Sequence, residues 1–134
     1  MKIPKLPEYV EMGPFKVHLK LVSHELAYEV SEQQGSFHSK PPMTIVLDEN
    51  IMAMENESTM NVLIHELFHL CYYQYELEKI TEEENIVNAY ANFTTELLTR
   101  SNIKDYLIHL MTKKLNWCYL NTFWWVSFVL HNRQ

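Results

Sequence analysis

The sequence predicts an α+β protein, and three observations carry that expectation. Glycine is scarce, with only Gly13 and Gly35 in 134 residues, and a chain that avoids glycine this strongly is rich in helix, because tight turns and sheet corners need it. The apolar pattern has period two in the first third of the chain and spacings of three and four after residue 56. Strands therefore precede helices, which places one small sheet before a helical part.

Residues 1–14 carry Pro4, Pro7 and Pro14 and read as an irregular or short helical lead-in. A small sheet is expected over 15–50. FKVHLKLV, from Phe15 to Val22, alternates: Val17, Leu19 and Leu21 lie on one side, His18 and Lys20 on the other. MTIVL, at 43–47, is an apolar run bounded by Pro41-Pro42 and Asp48-Glu49 and reads as a second strand. A third, weaker strand is expected over parts of 26–39. The helical part covers 57–115. Ser58 or Thr59 suits a helix cap, and Met60, Leu63, Ile64, Leu67, Phe68 and Cys71 then recur at helical spacing. A polar stretch from Glu78 to Glu84 interrupts. Ile86, Val87, Tyr90, Phe93, Leu97 and Leu98 mark a second amphipathic helix, and 103–115 a third. Residues 116–134 hold an aromatic segment, WCYLNTFWWVSFVL, which is either a core helix or an exposed face for a protein partner or for self-association. The whole, 1–134, suits a single domain.

Composition excludes several classes of function. The net charge is −6 and there is no stripe of Lys and Arg, so no nucleic-acid partner is expected. LNTFWWVSFVL is too short to span a bilayer, which needs about 20 residues, and MKIPKLPEYVEMG has no apolar signal segment. Cys71 and Cys118 make neither a disulfide framework nor a paired metal motif and read as reduced thiols. A cytoplasmic protein with no membrane partner is expected.

The triplet His-Glu-Leu occurs twice, at 24–26 and 65–67. Four residues after His24 stands Tyr28, so no second imidazole follows, and His24 and Glu25 read as ordinary surface residues. Four residues after His65 stands His69. On a helix that spacing brings both imidazoles out of one face, one turn apart, where one tetrahedral Zn²⁺ accepts both. Glu66 projects to the flank of that face, where its carboxylate serves as general base without being a ligand. The bland reading is a histidine pair hydrogen-bonded on a helix surface. Leu63, Ile64, Leu67, Phe68 and Leu70 around the motif are uncharged, as a half-buried metal helix requires.

A catalytic zinc site needs a third protein ligand. No third His follows at a suitable spacing, so the candidate is a carboxylate: Glu76, Glu78, Glu82, Glu83, Glu84, Glu96 or Asp105. It should come from a second helix packed back on the first. A turn centred near residue 80 puts position 93 opposite the histidines, whereas a first helix ending near 73–75 puts the low to middle eighties there. The latter favours Glu84 ahead of Glu83, because Asn88 lies one turn on and can support the ligating carboxylate. Thr81-Glu82-Glu83-Glu84 equally fits a capping box with Thr81 as cap.

LIHELFHL, followed by EEENIVNAYANFTTELL, resembles the small ImmA/IrrE-type metallopeptidases and related compact phage-encoded zincins over residues 15–110. Glu84-Asn85-Ile86-Val87-Asn88 stands where that family carries Glu-x-x-apolar-Asn. The resemblance implies a minimal zincin-like domain and a gluzincin-like hydrolase with one Zn²⁺ per chain held by His65, His69 and Glu84. It implies Glu66 as the catalytic base and a peptide or protein substrate, such as a regulatory protein of a phage or mobile element. It also implies that a strand such as MTIVL borders the cleft and pairs with an extended peptide. Tyr72, Tyr73, Tyr75, Tyr90 and His109 are the candidates for stabilising an oxyanion. Two departures stand out: bulky Phe68 and a tyrosine-rich helix end where the family often has glycine, and an aromatic C-terminus without a counterpart. The alternative is a zinc-binding interaction module without peptidase activity.

Overall fold

The computed structural model describes residues 2–31 and 34–113. Cys118 and the aromatic segment expected over 116–134 lie outside the described residues. The architecture is α+β, with four strands in one mixed sheet and the longer helices after it.

The first departure from expectation is at the N-terminus. Tyr9–Met12 is a strand, β1, rather than an irregular lead-in. Val10 and Met12 are fully buried while Glu11 between them is exposed, so the period-two signal is present but only four residues long. Gly13, at φ +56°, supplies the left-handed residue that turns β1 into β2, Phe15–Val22. The two strands pair antiparallel. The chain then makes a helix, α1, His24–Ser31, where the weak third strand was expected to begin; only Gly35–His38, β3, is extended. The central strand β4, Thr44–Asp48, lies between β2, to which it is parallel, and β3, to which it is antiparallel. The order is β1-β2-β4-β3.

That order corrects the expected role of MTIVL. Both edges of β4 are already hydrogen-bonded, so no peptide can add to it. The outer strands among the described residues are β1 and β3. The β1 edge is capped: the Asn102 amide accepts from the Glu11 N–H (3.0 Å) and donates to the Tyr9 carbonyl (2.7 Å), and the Gly13 N–H donates to Glu96 (3.1 Å).

Asp48 ends β4 and caps α2, Glu49–Met54, by accepting from the Asn50 N–H (2.8 Å). The main helix, α3, runs Glu57–Gln74. Its cap is Asn56 rather than Ser58 or Thr59. The Asn56 side chain accepts from the backbone N–H groups of both, and the Thr59 hydroxyl accepts from the Asn56 N–H, a reciprocal capping box. The same hydroxyl donates to the Ile51 carbonyl (2.6 Å), which ties α2 to α3. A short 3₁₀ turn, Leu77–Lys79, leads to α4, Glu83–Thr99, and α5 covers 104–113.

One apolar core joins sheet and helices. Val10, Val17, Ile45 and Leu47 from the sheet meet Leu63, Leu67 and Leu70 of α3, Phe93 and Leu97 of α4, and Ile103 and Leu107. Each fully buried side chain of this kind contributes roughly 1.5–3 kcal/mol. The outcome for function is that α3 is clamped along one face, so side chains on its other face leave from a rigid base. No described helix is long and apolar enough to cross a membrane.

Candidate metal centre

Leu63, Leu67 and Leu70 bury one face of α3, and helical geometry then sends His65 and His69 to the exposed side. Their rings lie 4.9 Å apart at 75°, with the two Nε2 atoms separated by 3.1 Å. Two imidazole nitrogens on one tetrahedral zinc, each about 2.0–2.1 Å from it, stand roughly 3.3 Å apart. The donor pair therefore has the separation that such an ion needs. Burial, and then the neighbouring His65, hold His69 below the ordinary imidazole value, which favours the neutral, ligating form.

Glu66 is not on an open flank as expected. It is 3% exposed and sits on the sheet side of α3. Among the described residues its Oε2 is buried without a hydrogen-bond partner. Burial raises its carboxyl above the ordinary value, against the lowering effect of His65. A buried carboxylate oxygen without a partner is expensive, and this one belongs to the residue next to His65. The residue against it is Gly35, the first of β3: a Cβ built there would lie 2.9 Å from Glu66 Cγ and 3.0 Å from its Oε1. A glycine inside a strand pattern is itself the signal of a close approach.

The third ligand is not assembled. Among the described residues no three His, Cys, Asp or Glu side chains come together to hold a metal. Glu84 and Asn88 are exposed on the first turns of α4. The helix pairing explains their position. Phe68 stacks on Tyr90 (5.1 Å) and meets Phe93 edge-on (6.3 Å), and the Cys71 thiol points at the Ala89 carbonyl (3.9 Å). The stretch of α4 that packs on α3 is thus 89–93, through Phe68 and Cys71, and the low to middle eighties are not packed there. The 3₁₀ turn with its buried Leu77 lengthens the connection. The capping box at Thr81 is also absent: the cap of α4 is Glu82, whose side chain accepts from the Asn85 side-chain amide (2.9 Å) and not from a backbone N–H of the helix, and Glu84 is the second helical residue.

Of the tyrosines, Tyr90 is held on Phe68, and Tyr73 lies between Phe15 (6.1 Å) and Phe37 (6.0 Å). Tyr72 is 45% exposed on the outer side of α3. His109 faces Glu55 (3.6 Å). Cys71 is fully buried, its thiol pushed up to about 11 by burial, which makes it inert. A groove of about 570 Å³ lined by Met60, Asn61, Ile64 and His65 opens beside the pair. Comparison with protein-family models, curated proteins and solved structures returned no match.

The earlier triplet differs from expectation too. His24 is exposed, but its Nδ1 is hydrogen-bonded to the buried carboxylate of Asp48, so it is a structural partner rather than an ordinary surface residue.

Proposed function

We propose that the protein is a small zinc-dependent metallopeptidase with a zincin-like arrangement. The observation that carries this reading is the His65–His69 pair at ligand separation with the buried Glu66 between them in sequence, whose Oε2 has no hydrogen-bond partner among the described residues. His65 and His69 supply two ligands. Glu84, ahead of Glu83, would be the third ligand, with Asn88 one turn on to orient it, although among the described residues it is exposed on the first turn of α4 and not assembled with the pair. When bound, zinc acidifies water to a pKa near about 7 and polarises the substrate carbonyl. Glu66 takes the proton from the attacking water and returns it to the leaving amine. Its position away from bulk solvent keeps that carboxylate basic.

The substrate is an extended peptide of a protein, and the resemblance suggests a regulator of a phage or mobile element. Among the described residues β3 is an outer strand, and its Gly35 lies on the sheet face under Glu66, which makes it the strand on which such a peptide can add.

The test is metal content on protein purified without an affinity metal. About one zinc per chain is expected in the wild type, with a clear loss in Glu84→Ala. No zinc in the wild type, even when it is offered, removes the reading. Zinc retained with no proteolysis, and none lost on Glu66→Gln, leaves a zinc-binding interaction module.

A further inference from the structure

Gly35 opens β3, and nothing about its backbone calls for glycine. Gly13 is the glycine with positive φ; Gly35 is not. A glycine in a strand costs roughly 0.5–1 kcal/mol relative to alanine. Space, rather than conformation, is what the missing side chain supplies. An added Cβ would meet Glu66 Cγ at 2.9 Å, Glu66 Oε1 at 3.0 Å and Val62 Cγ1 at 3.1 Å. Side-chain carbons do not approach that closely, so a Cβ at position 35 would force the Glu66 side chain, and with it Val62, to shift.

The side chain that fills the space is the one least expected there. Glu66 is 3% exposed, with Oε2 unpaired. Its neighbours on the helix, His65 and His69, are exposed. Without the hollow over Gly35 the carboxylate would be driven out toward solvent. The hollow is built from two rigid parts: β3 is hydrogen-bonded to β4 along its length, and α3 is held through Leu63, Leu67 and Leu70.

We propose that Gly35 is a positioning residue: its bare Cα is the seat that fixes the Glu66 carboxylate between β3 and α3, beside the histidine pair. The consequence for catalysis rests on the peptidase reading; the seat itself does not.

The experiment is a thermal-unfolding cycle on the full chain with Gly35→Ala, Glu66→Ala and the double variant. Gly35→Ala alone is expected to lower Tm by several degrees, about 3–6 °C. In the Glu66→Ala background the same substitution should lose at least half of that effect, because contacting residues are not additive. Equal losses in both backgrounds overturn the proposal. So does a rescue by Val62→Ala as large as that by Glu66→Ala, since the space would then serve Val62. If Gly35→Ala does not fold, a cooperative transition regained in the double variant supports the seat, and its absence overturns it.

The second readout uses zinc and fluorescein-labelled casein. Gly35→Ala should bind zinc within roughly threefold of wild type and keep KM, while kcat falls about 100-fold, the cost of a displaced catalytic group. An unchanged kcat at full zinc loading overturns the positioning role. A wild type that takes up no zinc and cleaves no casein counts against the peptidase reading, and the unfolding cycle still decides on the seat.

Discussion

His24-Glu25-Leu26 and His65-Glu66-Leu67 are the same three residues at the start of α1 and in the middle of α3. In α1 the imidazole is bonded to a buried carboxylate, Asp48, and the glutamate is exposed. In α3 the imidazole faces a second imidazole, and the glutamate is buried against Gly35 without a partner for Oε2. The first arrangement is satisfied. Asp48 accepts from His24 and from the Asn50 N–H and caps α2, so its charge is compensated. The second is satisfied only in part: the two imidazoles stand at hydrogen-bond distance, 3.1 Å, and among the described residues a carboxylate oxygen of Glu66 is left over. What separates a structural histidine from a candidate ligand is therefore the company each keeps, which the triplet does not contain.

Breaking the α3 site should have the largest effect. His65→Ala and His69→Ala are expected to empty the site, with zinc per chain falling from about one to near zero, whereas His24→Ala leaves it unchanged. Elemental analysis of the three purified variants reads this directly, and zinc loss in His24→Ala would erase the distinction. Glu66→Gln should cut turnover about 10²–10⁴-fold at unchanged zinc. It should also raise Tm, since a buried carboxylate is replaced by a neutral amide. A Tm that falls would mean that Glu66 is paired in solution. Glu84→Ala should weaken zinc binding by about tenfold or more, and Glu83→Ala much less; titration with a competing chelator ranks them.

The α1 site responds in stability instead. Asp48→Asn should cost about 1–3 kcal/mol, because it disturbs a buried group that both caps α2 and bonds His24. Burial works to raise the Asp48 carboxyl, but the His24 hydrogen bond and charge and the backbone N–H groups of Asn50 and Ile51 bring it below the ordinary 3.8. A lowered folded value stabilises above the unfolded one. The gap between wild type and Asp48→Asn should thus be full above pH 3.8 and close as pH falls below it. Melts in both proteins at stepped pH check the sign. His24→Ala should cost less, at most about 1 kcal/mol, because that partner is exposed. Glu25→Gln is the smallest, within about 0.5 kcal/mol.

Much of the fold can be read from the residues in order. FKVHLKLV and TIVLD announce their strands by alternation and β-branching, and α3 and α4 announce themselves by spacing. β1 escapes because four residues among prolines carry too little period. α1 escapes because eight residues are too few to tell a short helix from a strand until they are packed. In the candidate site, the one-turn spacing of His65 and His69 needs only helical geometry, which is local and so is written in the chain. The burial of Glu66 is different: it depends on β3 returning beside α3, with its residue 35 lacking a Cβ. The partner of His24 likewise lies 24 residues away. Which stretch of α4 packs on Phe68 and Cys71 is also decided by the path of the connection through the buried Leu77. Local periodicity and turn chemistry determined which residues are presented together; long-range packing decided which of them are left unpaired, since desolvation acts only once distant elements have closed over a side chain.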